Sequence, residues 1–293
     1  MLAWCRPADA LAGAFHEKRT MMVSVTMQVR AGATLAQVVG GAMDAVRKAP
    51  AQAALRIRLF QLFSVQGEWG RALAQLAACA RLDPACEEMA RVYREVIRCE
   101  AFRAEVFAGR RAPLLLGEPA PWLAQLLEAL RLDASGAAAA AAGLRAQALE
   151  AAPALRGSID GARFAWLADA DSRLGPVLEA IVNGKYYWIP FHQLHAVESE
   201  PPADLRDLAW LPARLTFANG GEQVAFVPVR YPDPAGADDA LLMARRTEWR
   251  ELAPGSYGGV GQRMFASEAG EYALLDVRRI EFESPAVTET GDA

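Results

Sequence analysis

The chain reads as an α+β protein in two parts, an N-terminal array of α-helical hairpins followed by a C-terminal antiparallel β-rich domain. Three observations predict this. Apolar residues recur at helical spacing from Thr34 to about Ala152. The character changes after Pro153. From Ala213 onward, short alternating runs separated by turn residues dominate. The expected organisation is a disordered extension over 1–29, a helical-repeat domain over 30–153, a β-rich domain over 154–283 and a flexible tail over 284–293.

The helices follow in order. The first hairpin, near Ala31–Pro50, is weakened by Gly40-Gly41. Leu55, Leu59, Leu62 and Phe63 lie on one face of a helix that Gly67 ends, and Trp69, Leu73, Leu76 and Ala80 mark a second. Asp83 caps the next helix with Pro84 at its first position. Met89, Val92, Tyr93, Val96 and Ile97 stripe a third, extending to Phe107 before Gly109. Leu123, Leu126, Leu127 and Leu130 form another after Pro121, and the Ala-rich run to Ala152 is its partner beyond the Ser135-Gly136 turn. Between Leu59 and Pro84, the order Leu59, Phe63, Gly67, Trp69, Ala72, Leu76, Ala80, Pro84 resembles a tetratricopeptide repeat. In that reading Gly67 permits the turn, Ala72 lets the helices approach and Trp69 fills the space between them.

Beyond Pro153, Phe164, Trp166 and Leu167 suggest a short strand, and Leu174 to Val182, opened by Gly175-Pro176, a helix. Asn183-Gly184 signals a turn into a strand over Tyr186-Tyr187-Trp188-Ile189 that Pro190 ends. Leu215 and Phe217, the turn Asn219-Gly220-Gly221 and the return Val224–Val229 make a hairpin. Tyr231–Asp239 is a loop, followed by strand candidates Ala240–Ala244, Gln262–Ala266, Tyr272–Val277 and Arg279–Phe282. Gly255 to Gly261 reads as a flexible hairpin loop, since no Lys-Ser/Thr follows to make it a phosphate cradle.

Composition narrows the function. Of 293 residues, 53% are hydrophobic and 23% charged, which is globular rather than disordered. A net charge of −4 argues against a nucleic-acid partner. No apolar run approaches the roughly 18–20 residues that span a bilayer, so no membrane partner is expected. The late Lys18-Arg19 pair and the missing small-residue cleavage site disfavour a signal peptide. Cys5, Cys79, Cys86 and Cys99 have no zinc-pair spacing and read as buried thiols. His192 and His195, three apart, make a poor catalytic or zinc pair.

Two constellations stand out. Asp169 and Asp171, with Arg173 beside them, could hold a hard divalent cation or act as an acid/base pair. No further oxygen ligands follow at loop spacing, so a structural reading is preferred, with the carboxylates capping the next helix and pairing with Arg173. Tyr186 and Trp188 share one face of a strand. With Tyr187, Trp210 and Trp249 they would either anchor a bound peptide or fill the core of the β domain.

Asp169-Ala170-Asp171-Ser172-Arg173-Leu174-Gly175-Pro176, Gly184-Lys185-Tyr186-Tyr187-Trp188-Ile189-Pro190 and Asp204-Leu205-Arg206-Asp207-Leu208 follow in order. Trp210, Pro212, Gly261-Gln262-Arg263-Met264 and Leu274-Leu275-Asp276-Val277-Arg278-Arg279-Ile280-Glu281-Phe282 come after them. The helical half adds Phe60-Gln61-Leu62-Phe63 and Tyr93-Arg94-Glu95-Val96-Ile97-Arg98-Cys99-Glu100. Together, over about residues 30 to 283, these resemble the ImpE/TagJ family of bacterial type VI secretion. The first thirty residues have no counterpart in that pattern. The resemblance implies a cytoplasmic, non-enzymatic adaptor without cofactor, metal or small-molecule substrate. Its implied partner is the small subunit of the contractile sheath, bound through an amphipathic helix, with the sheath-recycling ATPase reached indirectly. Asp169, Asp171, Arg173, Tyr186 and Trp188 are the expected partner-binding residues. The alternatives are a divalent-metal-dependent enzyme using Asp169 and Asp171, and a helical-repeat scaffold outside secretion.

Overall fold

In a computed structural model, residues 32–232 and 237–283 are described. The expected extension over 1–29, the tail over 284–293 and Cys5 lie outside these residues. Among the described residues six helices come first: α1 (Leu35–Lys48), α2 (Ala53–Gln66), α3 (Trp69–Leu82), α4 (Glu87–Phe107), α5 (Pro121–Ala134) and α6 (Ala138–Ala151). A capping box between Thr34 and Gln37 starts α1, which continues through Gly40-Gly41. Burial of Leu35, Val38, Val39, Ala42 and Val46 on one stripe outweighs the glycine cost there. Gly67 ends α2 in the left-handed conformation, at φ 74°, its N–H returning to Phe63 and Ser64. Ala72 is fully buried in the α2–α3 hairpin. Asp83 and Pro84 open a short 3-10 turn, Pro84–Cys86, that leads into α4.

Among the described residues the β half contains thirteen strands. They are β1 (Gly157–Ile159), β2 (Ala162–Phe164), β3 (Leu167–Asp169), β4 (Val177–Val182), β5 (Lys185–Pro190), β6 (Leu194–Ser199), β7 (Trp210–Phe217) and β8 (Glu222–Pro228), then β9 (Thr247–Ala253), β10 (Ser256–Gly261), β11 (Met264–Ser267), β12 (Gly270–Ala273) and β13 (Arg279–Phe282). Eight form one sheet in the order β2-β1-β13-β6-β7-β8-β4-β5, with every neighbouring pair antiparallel. β12-β11-β3 and β10-β9 make two smaller sheets. Asn183 and Gly184, both at positive φ, turn β4 into β5. Leu114 exchanges main-chain hydrogen bonds with Tyr186 and Trp188, so the segment after α4 covers the β5 edge.

The helices and the large sheet share a core. Val177 and Ile181 of β4, Tyr186 and Trp188 of β5, and Trp210 of β7 pack with the helices. Leu178, Ala180, Val182 and Ile189 point to the opposite side, with Leu211, Leu215, Phe265 and Phe282. β4 is therefore buried on both faces, which corrects the helix expected over Leu174–Val182. A strand covered on both sides has a continuous apolar run and loses its period-2 signature.

Two more expectations are corrected. Ala240–Ala244 is not a strand but overlaps a short helix, α7 (Asp239–Leu242), which the Asp238 carboxylate caps through the Ala240 and Leu241 N–H groups. Gly255–Gly261 is not a loop, since most of it is β10. A Cβ at Gly259 would stand 2.1 Å from the Tyr231 ring, so the glycines mark close packing rather than flexibility. Among the described residues no helix is long and apolar enough to cross a membrane.

Candidate functional site

Where α4 meets the sheet, Glu100, Arg103, Ala104, Phe107 and Ala108 fall at i, i+3, i+4, i+7 and i+8. They form one face of α4. That face lines an open cleft of about 490 Å³, closed on other sides by Trp69 at the start of α3, Arg173 before β4, Ala209, and Arg230-Tyr231-Pro232 after β8. The volume lies within the roughly 300–1,000 Å³ of ordinary ligand pockets.

Behind the cleft runs a buried chain of charges. Glu179, in the middle of β4, is fully buried and accepts from Arg103 Nε at 2.6 Å and Nη2 at 2.9 Å. It also accepts from Arg263 Nη2 and from the Tyr186 hydroxyl. Trp188 Nε1 donates to that hydroxyl at 2.7 Å. Burial alone would raise the Glu179 carboxyl, but Arg103 and Arg263 bring it down to about 2. Arg263 continues the chain to Asp169, which also accepts from Tyr231 Oη at 2.9 Å and the Asp171 N–H at 2.8 Å. Burial pushes Asp169 up to about 7, with Arg263 pulling the other way.

Asp171 is fully buried and accepts from Arg173 Nε at 2.8 Å, from Arg173 Nη2 at 2.5 Å and from the Gly259 N–H at 2.9 Å. The Arg173 guanidinium lies 5.0 Å from the centre of the Phe107 ring. Arg230 donates to carbonyls at the end of α2, those of Ser64 at 3.1 Å and Val65, and to Leu242 O at 2.6 Å. Burial lowers it to about 10. Trp210 Nε1 donates to Glu100 at 2.7 Å, and the Trp210 ring meets that of Trp69 in a tilted arrangement, centres 5.4 Å apart.

These contacts correct several expectations. Asp169, Asp171, Arg173, Tyr186 and Trp188 do converge, but into the seam between the two halves. Asp169, Asp171, Tyr186 and Trp188 are buried and present no surface to a partner, whereas Arg173 borders the cleft. No helix follows Asp171. It closes a turn instead, with its side chain taking the Arg173 N–H at 2.9 Å. Guanidinium groups occupy the positions a cation would need beside Asp169 and Asp171. Among the described residues no group of three or more His, Cys, Asp or Glu side chains could hold a metal ion. Trp69 is half-buried and packs against the core that holds Phe63 and Ala72 of its own hairpin, and its ring also meets Trp210 in the sheet. His192 lies against Trp122 and His195 is exposed, so the two do not converge. Cys79, Cys86 and Cys99 are buried free thiols.

Glu179, Arg103, Arg230 and Tyr231 were not singled out in the sequence, and Arg263 stood there only within a family motif, with no site role. One signal was available: a lone carboxylate inside the apolar run Val177–Val182 must be paired if that run is buried. Nothing in the sequence says which arginines pair with it.

Fold and site together define a two-part α+β protein. Its helical array is joined to an antiparallel sheet by buried ion pairs, and a cleft opens along the seam. Comparison with known proteins places it further. Residues 161–281 match the family model described as ImpE protein. The type VI secretion system accessory component TagJ of Pseudomonas aeruginosa is 53% identical over 241 residues, covering 82% of this chain and 84% of that one. The X-ray crystal structure of a Vibrio parahaemolyticus protein has the same fold, with a TM-score of 0.79 at 23% identity, covering 86% of this chain and 95% of the other. The chain belongs to the ImpE/TagJ family of type VI secretion accessory proteins.

Proposed function

We propose that the chain is a cytoplasmic, non-enzymatic adaptor that binds the small subunit of the type VI contractile sheath through an amphipathic helix and reaches the sheath-recycling ATPase only through that subunit. The observation supporting this reading is the seam cleft, open to solvent and walled by Trp69, Phe107 and Tyr231. Its roughly 490 Å³ suits a few side chains rather than a whole helix. The helix would lie across the mouth and insert anchors spaced i, i+3, i+4 and i+7. The carboxylates around the cleft are tied to arginine or tryptophan donors, which favours a structural and binding role over acid/base work.

The test is a titration of labelled terminal-helix peptides from the sheath small subunit, native and with one apolar anchor changed to a charge. Saturable binding that the anchor change abolishes supports the reading. Absence of binding to either full-length sheath subunit, by titration and by co-purification, refutes it.

A further inference from the structure

The cleft has a chemical bias that an apolar groove lacks. Three guanidinium groups line it, those of Arg103, Arg173 and Arg230, against one lining carboxylate, Glu100. Glu100 already accepts from Trp210 Nε1 and faces Arg103 Nη1 at 3.4 Å. Glu179 and Asp171, the acids behind the wall, are fully buried and hold their arginines from the inner side. Among the described residues Arg173 uses Nε and Nη2 on Asp171, while its Nη1 makes no hydrogen bond. Arg230 is held by main-chain carbonyls, which fix its position without supplying a countercharge. An entering anion thus meets oriented N–H donors, while an entering cation meets carboxylates that are already taken. Trp69, Phe107 and Tyr231 provide apolar walls around these donors.

We propose that this cleft binds a carboxylate carried on an apolar stem, with Arg173 as its principal partner and the Trp69 and Phe107 rings packing the stem. Two sources share this chemistry, an aspartate or glutamate side chain and a chain's C-terminal carboxylate. For the sheath subunit, the proposal rests on the adaptor reading above. It adds that the docking helix contributes an acidic group next to its apolar anchors.

The experiment uses the full chain and three small probes of one shape: 3-phenylpropionate, its neutral amide and 2-phenylethylammonium. Binding is followed by the Trp69 indole N–H resonance, assigned with Trp69→Phe. The expected result is saturable binding of the carboxylate, about tenfold or more tighter than the amide or the ammonium. Arg173→Gln should remove that preference and Arg173→Lys should keep part of it. Equal binding of all three probes, or no response to the carboxylate at tens of millimolar, overturns the proposal. These probe arms are read on the wild-type chain and need no Arg173 variant, so a poorly folding Arg173→Gln leaves the test intact.

A second arm separates the two sources and the two readings. Sheath peptides are compared with all Asp and Glu changed to Asn and Gln, and separately with an amidated C-terminus. Loss of binding on either change identifies the source of the carboxylate. Binding unaffected by both changes sinks the carboxylate proposal and leaves the adaptor standing. Selective 3-phenylpropionate binding with no sheath binding does the reverse.

Discussion

Glu179→Gln is the most direct test of the seam. The wild-type carboxylate receives two bonds from Arg103, one from Arg263 and one from Tyr186, all in the interior. Glutamine offers a single oxygen and turns an NH₂ toward guanidinium groups. Removing one partner of a buried pair costs about 3–5 kcal/mol. Here Arg263 keeps Asp169, while Arg103 keeps Glu100 and the Arg230 carbonyl, so the lower end is expected. The same arginine contacts also depress the Glu179 carboxyl, which sets the pH dependence. Its carboxyl falls from 4.5 to about 2 on folding. At about 1.4 kcal/mol per tenfold change in proton affinity, this corresponds to roughly 3 kcal/mol. Because the folded value is depressed, that stability is present above pH 4.5 and is lost as pH falls through about 2. At pH 3 about 2 kcal/mol of it should already be gone. The assay is urea unfolding followed by far-UV circular dichroism at pH 7, 5 and 3, for wild type and Glu179→Gln. The difference should be about 3 kcal/mol at pH 7, on the order of 10 °C in melting temperature, and shrink sharply by pH 3. A difference below about 1 kcal/mol at pH 7, or one that does not change with pH, would show that the carboxylate does not hold the seam.

Further outcomes follow from single contacts. Trp69→Ala should cost about 2 kcal/mol, below the roughly 3–5 of a fully buried aromatic, because Trp69 is half-buried and its ring meets Trp210. The same change should weaken sheath-peptide binding, and melting curves with titrations check both. Gly259→Ala places a Cβ 2.1 Å from the Tyr231 ring, so unfolding measurements should show a loss of about 1–3 kcal/mol as that ring is displaced. Gly67→Ala must adopt φ 74° at the end of α2 and should cost about 1–2 kcal/mol in the same assay. No measurable change there would mean that α2 ends by another route.

Local chemistry made much of the helical half legible. Asp83-Pro84, Gly67 and Pro121 stop and start helices through groups within a few residues of each, and the apolar stripes of α3 and α4 need only one covered face, whereas Leu59–Val65 of α2 is buried all round. The turn at Asn183-Gly184 and the strand β5 after it were visible for the same reason, since Asn183-Gly184 suits a turn with two positive φ values. The strand β4 was not, because burial on both faces erases the alternation by which strands are recognised. The resemblance carried by segments such as Asp169–Pro176 and Gly184–Pro190 identified the family. It did not show that Asp169, Tyr186 and Trp188 face inward, because a short polar or aromatic motif looks the same whether it meets a partner or the rest of its own chain. Only the packing of α4 across the sheet brought Arg103 to Glu179, 76 positions apart, and only the pairing of the segment between β10 and β11 with the end of β8 brought Arg263 to both Glu179 and Asp169. The cleft is likewise a product of tertiary structure. Its walls come from α3, α4, the turn before β4 and the segment after β8, and ion pairing between such distant residues leaves no periodic trace in sequence.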